Sequence, residues 1–361
     1  RIFTGKKPGS AIDVNTIKKE GGKSGFKESL AEFIRATFFI PDARMLWQLT
    51  ARKEILKIGN EYKIDAVVSS SPPYTCSLLA KYAKKKLKIP WIAEFRDPWT
   101  GFISAPKRWF LPRAIDKSME HSVFKTADAV EYAWHGIKKD ALEKYPGLDE
   151  SKFFHIPNGF DSNDFPDVEQ KKTNRFTLTY TGSLYGRRNP ASLFKALEKL
   201  IVSNNINPNE FLLRFVGRFG DEVQQMFENA SFKKSIEKHS YLPHIESVKF
   251  LLRSDALLLI VDESKESEEI VPGKVYEYIG VKKPIIAIAP QDSAIAALLR
   301  ETKSGKTAHQ TEIEKTCDIF MDLFSSWKKG RGSFNPDEDA VKKYERRESA
   351  KKLAELLDKS I

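Results

Sequence analysis

The sequence predicts an α/β protein made of two Rossmann-like halves facing a central cleft and joined by one linker. Three observations carry this expectation. Apolar runs of strand length alternate with helix-length amphipathic segments, the pattern of parallel βα units. The alternation stops at residues 161–174, which are polar and rich in Asp, Asn and Lys, and then resumes. The length of 361 residues suits two domains of ordinary size.

In the first half, residues 28–39 and 43–62 are predicted helices, with Pro41-Asp42 between them as a break and cap. Asp65-Ala-Val-Val-Ser-Ser-Ser71 reads as a buried strand that ends in a small polar turn before Pro72-Pro73. A helix with a basic exposed face follows at 78–87. Pro90-Trp-Ile-Ala-Glu-Phe95 is a second strand that runs directly into Arg96-Asp97-Pro98-Trp99. Helix 114–127, strand 129–133 and strand 152–156 complete this half, and Pro157-Asn158-Gly159 leads out of it.

In the second half, strands 175–181 and 211–216 enclose helix 190–202, and strands 256–261 and 284–289 enclose helix 273–280. Residues 337–361 read as one charged amphipathic helix with Val341, Tyr344, Leu353 and Leu356 at roughly helical spacing. No strand follows it, so it is a candidate to pack elsewhere than on its own domain, and the family resemblance given below implies that it crosses back onto the first domain. The domains are thus expected to be 1–160 with 337–361, and 161–336. Residues 1–25 hold no initiator Met, apolar periodicity or signal-peptide core. They read as a Lys/Gly-rich loop entered mid-protein, and the first strand of the first domain is expected to lie in an earlier segment.

Composition excludes several classes. No apolar run approaches the roughly 18–20 residues that span a bilayer. Cys76 and Cys317 are too few for a disulfide framework or a cysteine-based zinc site, a pattern that fits a reducing cytosol. Of the net charge of +11, residues 1–100 carry +9, from 19 Lys and Arg against 10 Asp and Glu. A one-sided basic surface implies an anionic partner: phospholipid headgroups, a phosphorylated acceptor or nucleic acid.

Common cofactor and catalytic motifs fail on spacing. Gly21-Gly22-Lys23-Ser24 lacks the first glycine and the strand of a phosphate loop. Gly217-Arg-Phe-Gly220 lacks the dinucleotide fingerprint. The six histidines show no metal-ligand spacing, and no nucleophile elbow is present, so neither a metal nor a cofactor is expected.

What remains is Glu269-Ile-Val-Pro-Gly-Lys-Val-Tyr-Glu277. Pro272-Gly273 stands where a helix should begin, so the amides of Gly273 to Val275 would point into the cleft as an anion site favoured by the helix dipole. Lys274 adds a positive charge. Glu277 lies one turn further in, placed to accept hydrogen bonds from vicinal hydroxyls such as those of a ribose. Glu269 could reach sugar hydroxyls or a charge developing at an anomeric carbon. Alternatively, Glu263, Glu266, Glu268 and Glu269 form a solvated acidic loop.

The glutamate pair, with Lys274-Val-Tyr-Glu277-Tyr and Lys283-Pro284-Ile, resembles the E-x7-E region of the family 4 retaining glycosyltransferases, which have the GT-B fold. Further motifs agree in order. Ser70-Ser71-Pro72-Pro73-Tyr74 and the 89–99 stretch resemble N-domain strand ends of the bacterial cell-surface polysaccharide branch. Ile156-Pro157-Asn158-Gly159-Phe-Asp161 resembles the element before the hinge. Tyr180-Thr181-Gly182-Ser183 resembles the first strand and phosphate loop of the donor domain, and Tyr241-Leu-Pro-His244 the stretch leading to the glutamate pair.

The resemblance implies a hexosyl-type transferase that moves a sugar from a nucleotide diphosphate-sugar with retention. On this reading Gly182, Ser183, Arg188, Tyr241, Pro272, Gly273, Val275 and Glu277 hold the donor. Arg187 or Arg188, with Lys274, stabilises the leaving diphosphate without a metal. Asp97 orients the donor sugar or the acceptor hydroxyl, Glu269 acts at the reacting sugar, and Ser71, Tyr74 and Arg96 lie on the acceptor side. Ser183 stands where the family often has an Arg, and Arg187-Arg188 near its usual Lys.

The expected acceptor is lipid-linked or a saccharide, and the expected place is the cytoplasm, peripheral at the inner face of an anionic cell membrane. A nucleotide-sugar 2-epimerase of the same fold would need more carboxylates and a cleft His. Nucleic-acid binding is the reading from another class, and Lys84-Lys85-Lys86 lies in no recognisable nucleic-acid motif.

Overall fold

The computed structural model describes residues 26–101, 106–169, 174–262, 271–330 and 334–360. Residues 1–25, including the Gly21–Ser24 motif, and Glu269 lie outside the described residues. The rest forms two compact units: one holds 26–160 and 342–360, the other 161–262 and 274–341.

The first unit opens with helices α1 (Phe26–Phe38) and α2 (Trp47–Glu61). Four parallel strands follow: β1 (Val67–Ser71), β2 (Trp91–Phe95), β3 (Ala129–Tyr132) and β4 (Phe153–His155), side by side in chain order. Helices α3 (Thr75–Leu87), α4 (Phe110–Thr126) and α5 (His135–Lys144) connect them. Asp42 does not cap the helix that follows it. Its carboxylate accepts from Thr75 N and Thr75 Oγ1, both at 2.9 Å, and so caps α3.

The second unit holds β5 (Phe176–Leu184), α6 (Ala191–Val202), β6 (Phe211–Phe219), α7 (Asp221–Asn229), β7 (Ile236–His239), α8 (His244–Leu252), β8 (Ala256–Ile260), α9 (Gly273–Val281), β9 (Ile285–Ile288), α10 (Ala294–Glu301), β10 (Gly305–Ala308) and α11 (Ile313–Lys328). Its six parallel strands lie in the order β10-β9-β8-β5-β6-β7. This is the full doubly wound arrangement, with a topological switch point between β5 and β8. Strand β8 is buried along its whole length, and Phe176, Phe211, Phe215, Phe320 and Phe324 fill the core around β5 and β6. The sequence reading missed β7 and β10. Both are sheet edges, only partly buried, with no apolar run to announce them.

The predicted helix 337–361 is two helices, α12 (Glu338–Lys342) and α13 (Arg346–Ser360). The break comes where the chain pairs with the other crossing between the units. Phe160 N donates to Tyr344 O at 3.0 Å, and Arg346 N donates to Phe160 O at 2.8 Å. Val341 is therefore buried in the second unit, while Leu353 and Leu356 pack on Ile92 and Ala129 of the first, so the crossing back is observed. Gly159 makes this possible, because a Cβ there would overlap Tyr344 O. Gly159→Ala is expected to lower stability by about 1–3 kcal/mol, read as a lower denaturant midpoint; an unchanged midpoint would show that the crossing can shift to make room.

Toward the C-terminal ends of β2 and β3 the apolar seat of α13 gives way to two acids. Glu94 and Glu131 are register partners, and both line a pocket of about 170 Å³ with Asn158, Arg346 and Ser349. Glu131 is buried, and its Oε2 has no hydrogen-bond partner among the described residues. Burial first, then the charge of Glu94, pushes its carboxyl up to about 8.

Candidate functional site

The second unit assembles its polar groups at the switch point, where the strand order reverses and doubly wound sheets bind ligands. β5 pairs with β8 only through Leu178↔Ala256 and Thr179↔Leu257, so its last residues part from β8. Thr181 would there lose its backbone partners on that side. Helix α9 supplies them through two residues four apart, which share one helix face. Tyr278 Oη accepts from Thr181 N at 2.9 Å, and Lys274 Nζ donates to Thr181 O at 3.2 Å.

The Lys274 ammonium also donates to Tyr180 Oη at 2.8 Å and lies 4.2 Å from the centre of that ring. Tyr180 Oη in turn donates to Ser183 O at 3.0 Å. An ammonium has three donors; among the described residues this geometry uses two and leaves one for a ligand. Burial lowers the Lys274 pKa to about 7, helped by Arg188 and opposed by Glu277.

Two glycines let the backbone reach this point. Gly182 and Gly217 are register partners near the ends of β5 and β6, with φ of 123° and 149°. A Cβ on Gly182 would sit 2.9 Å from Lys274 Nζ, and one on Gly217 would overlap Gly182 O. The strands therefore end in bare backbone beneath the start of α9.

The other expected donor residues fall around the same strand ends, in distinct states. Arg187 Nε lies 3.4 Å from Asp262 Oδ1. Arg188 reaches over the ring of Tyr185, and its Nε is buried with no hydrogen-bond partner among the described residues. Pro272 and Gly273 open α9. The Val275 side chain is fully buried, which leaves only its amide for a ligand. Glu277 is half-exposed, and its Oε1 lies 2.8 Å from His244 Nε2. Tyr241 is 67% exposed and stacks under the Arg218 guanidinium at 4.8 Å.

In the first unit, Ser71 is fully buried and its hydroxyl bonds Ser77 Oγ at 2.6 Å. That is a packing contact of β1 with α3. Tyr74 stacks on Trp99, and its hydroxyl donates to Pro98 O at 2.5 Å, so it holds the loop that carries Asp97. Arg96 is exposed and donates to Pro72 O at 3.2 Å. The half-buried Asp97 carboxyl is raised above its ordinary value by burial, against the pull of Arg96.

Sequence reasoning overlooked Tyr180, His244 and Arg218 as site groups. Tyr180 sits inside a strand and reads there as core, and nothing local shows that Lys274 returns to it.

No family model and no curated protein matches this sequence. Solved structures do match. Anabaena HepE, determined with UDP and glucose, is 14% identical, with 87% of this chain and 82% of that one covered at a TM-score of 0.60. Sucrose-phosphate synthase from Thermosynechococcus elongatus is 10% identical, with 88% and 79% covered at 0.62. The lipopolysaccharide outer core galactosyltransferase WaaB is 15% identical, with 87% and 82% covered at 0.55. The chain has the GT-B glycosyltransferase fold. Within it, the GT-B unit built on β5 to β10 carries the Lys274 constellation, and the unit built on β1 to β4 carries Asp97.

Proposed function

We propose that this chain is a glycosyltransferase that moves a sugar from a nucleotide diphosphate-sugar to a saccharide or lipid-linked acceptor. The observation that carries the proposal is Lys274, at the start of α9 and over the diverging end of β5, with a spare donor and the buried Arg188 Nε nearby. Such a place suits a diphosphate, since helix amides, the dipole and two cations all favour negative charge. The fold shared with HepE, solved with UDP and glucose, supports the same reading.

In this proposal the unit of β5 to β10 binds the donor and the unit of β1 to β4 takes the acceptor. As the anomeric C–O bond breaks, charge grows on the leaving phosphate, and Lys274, Arg188 and the α9 amides stabilise it. Arg188 is preferred to Arg187, whose guanidinium is already beside Asp262. These cations replace a metal in this scheme. Asp97 orients the reacting groups, and the Glu269–Glu277 spacing supports family 4 membership and retention of configuration. The excess charge of residues 1–100 supports an anionic membrane surface as the place of work.

A thermal-shift panel of UDP-, GDP-, ADP- and dTDP-sugars tests the reading. One base class should stabilise the protein, by about 2.7 kcal/mol at a hundredfold excess over Kd; no shift with any of the four would overturn it. Glu277 is the ribose ligand in this scheme. Glu277→Ala is therefore expected to weaken nucleoside diphosphate binding by about 1–3 kcal/mol in isothermal titration. Unchanged affinity in the folded variant would remove Glu277 from the site.

A further inference from the structure

A surface helix normally turns its apolar stripe inward. Helix α1 buries Ala36 yet also turns Leu30, Phe33, Ile34 and Phe38 outward, at i, i+3, i+4 and i+8 of one face. The start of α4 does the same with Trp109, Phe110 and Leu111. The two groups are joined. Trp109 Nε1 donates to Thr37 Oγ1 at 3.0 Å on the α1 stripe. Arg108 donates to Phe39 O at 3.1 Å and Pro41 O at 2.7 Å while it pairs with Asp116 at 2.8 Å. That clamp fixes the beginning of α4 to the end of α1.

Phe33, Phe38, Trp109 and Phe110 are 55%, 66%, 46% and 77% exposed. At about 200 Å² for each aromatic side chain they present roughly 500 Å² of ring surface. That is as large as the largest patch of a typical monomer, and such patches mark interaction sites. The rim is basic: Arg35, Lys107, Arg113 and Lys117 are all exposed there, with Glu32 as an acidic neighbour. A second copy would bring the same positive rim against it. An anionic lipid surface answers both features, because rings enter the headgroup layer while Lys and Arg meet phosphates.

We infer that the outward stripe of α1 and the Trp109–Leu111 start of α4 form a wedge that docks this protein on an anionic lipid bilayer. The basic run on α3, the other candidate for that role, is weakened by pairing: Lys84 is tied to Asp128. Helix α1, at 13 residues, is about 20 Å long and suits lying in the interface plane. No described helix is long and apolar enough to cross a membrane.

Vesicle sedimentation tests this with neutral phosphatidylcholine vesicles and with vesicles carrying phosphatidylglycerol. The wild type should sediment with the anionic vesicles and at least tenfold less with the neutral ones. Phe38→Asp with Phe110→Asp should reduce anionic binding at least tenfold at unchanged Tm, as both side chains are mostly in solvent. Lys85→Glu with Lys86→Glu should have a smaller effect. Full binding by the aspartate variant would overturn the inference. So would a wild type that forms dimers by light scattering, ignores vesicles, and becomes monomeric in that variant. The inference rests on the membrane part of the proposed function; the assay contains no nucleotide or acceptor, so its failure removes the membrane surface and leaves the transfer reaction standing, and a failed nucleotide-sugar panel leaves the docking wedge standing.

Discussion

Lys274→Met is expected to lower kcat/KM for the nucleotide sugar by roughly 10²–10³, the usual effect of removing one charge-stabilising donor. Methionine keeps the length of the side chain and its packing against Tyr180, but it cannot meet a phosphate. The same substitution should flatten a pH dependence. In the free protein the Lys274 ammonium loses its proton near pH 7. A bound diphosphate favours the charged form, so binding takes up a proton. Affinity in the wild type should therefore fall as pH rises above 7, and in the Met variant it should not. Near-wild-type kcat/KM, or an identical pH slope in both proteins, would remove Lys274 from the diphosphate site.

Glu131→Gln is expected to stabilise the protein, and increasingly so at higher pH. The Glu131 carboxyl titrates at about 8 in the fold against 4.5 ordinarily. Between these values the folded protein keeps a proton that the unfolded chain has released. Its contribution to stability is thus fully present below pH 4.5 and is lost as pH rises to 8, amounting to roughly 4 kcal/mol. Glutamine fills the same space without that charge. Urea midpoints of both proteins at pH 5.5 and 8.5 check this; a difference between them that does not grow with pH would disprove it.

The sequence displayed the alternation of strands and helices because buried parallel strands are apolar throughout, as in Ala256–Ile260. It hid the edges: Ile236–His239 and Gly305–Ala308 need fewer apolar residues and so lack a pattern. The start of α9 was legible from Pro272-Gly273, but its partners were not. Lys274 and Tyr180 are 94 residues apart, and only the divergence of β5 from β8 brings them together. Orientation was hidden as well. The Leu30–Phe38 spacing shows one apolar face and says nothing of which way it points. Glu131 lies in an otherwise apolar strand, where the letters show an acid but neither its depth nor Glu94 beside it.

The return of α13 to the first unit has a consequence for how the protein is made. A ribosome adds about 5–20 residues per second, so residues 161–341 take roughly 10–35 s to emerge after Phe160. Through that interval Ile92 and Ala129 lack the leucines that cover them in the finished protein. The order of completion is thus the reverse of the order of synthesis: the unit begun first is closed last.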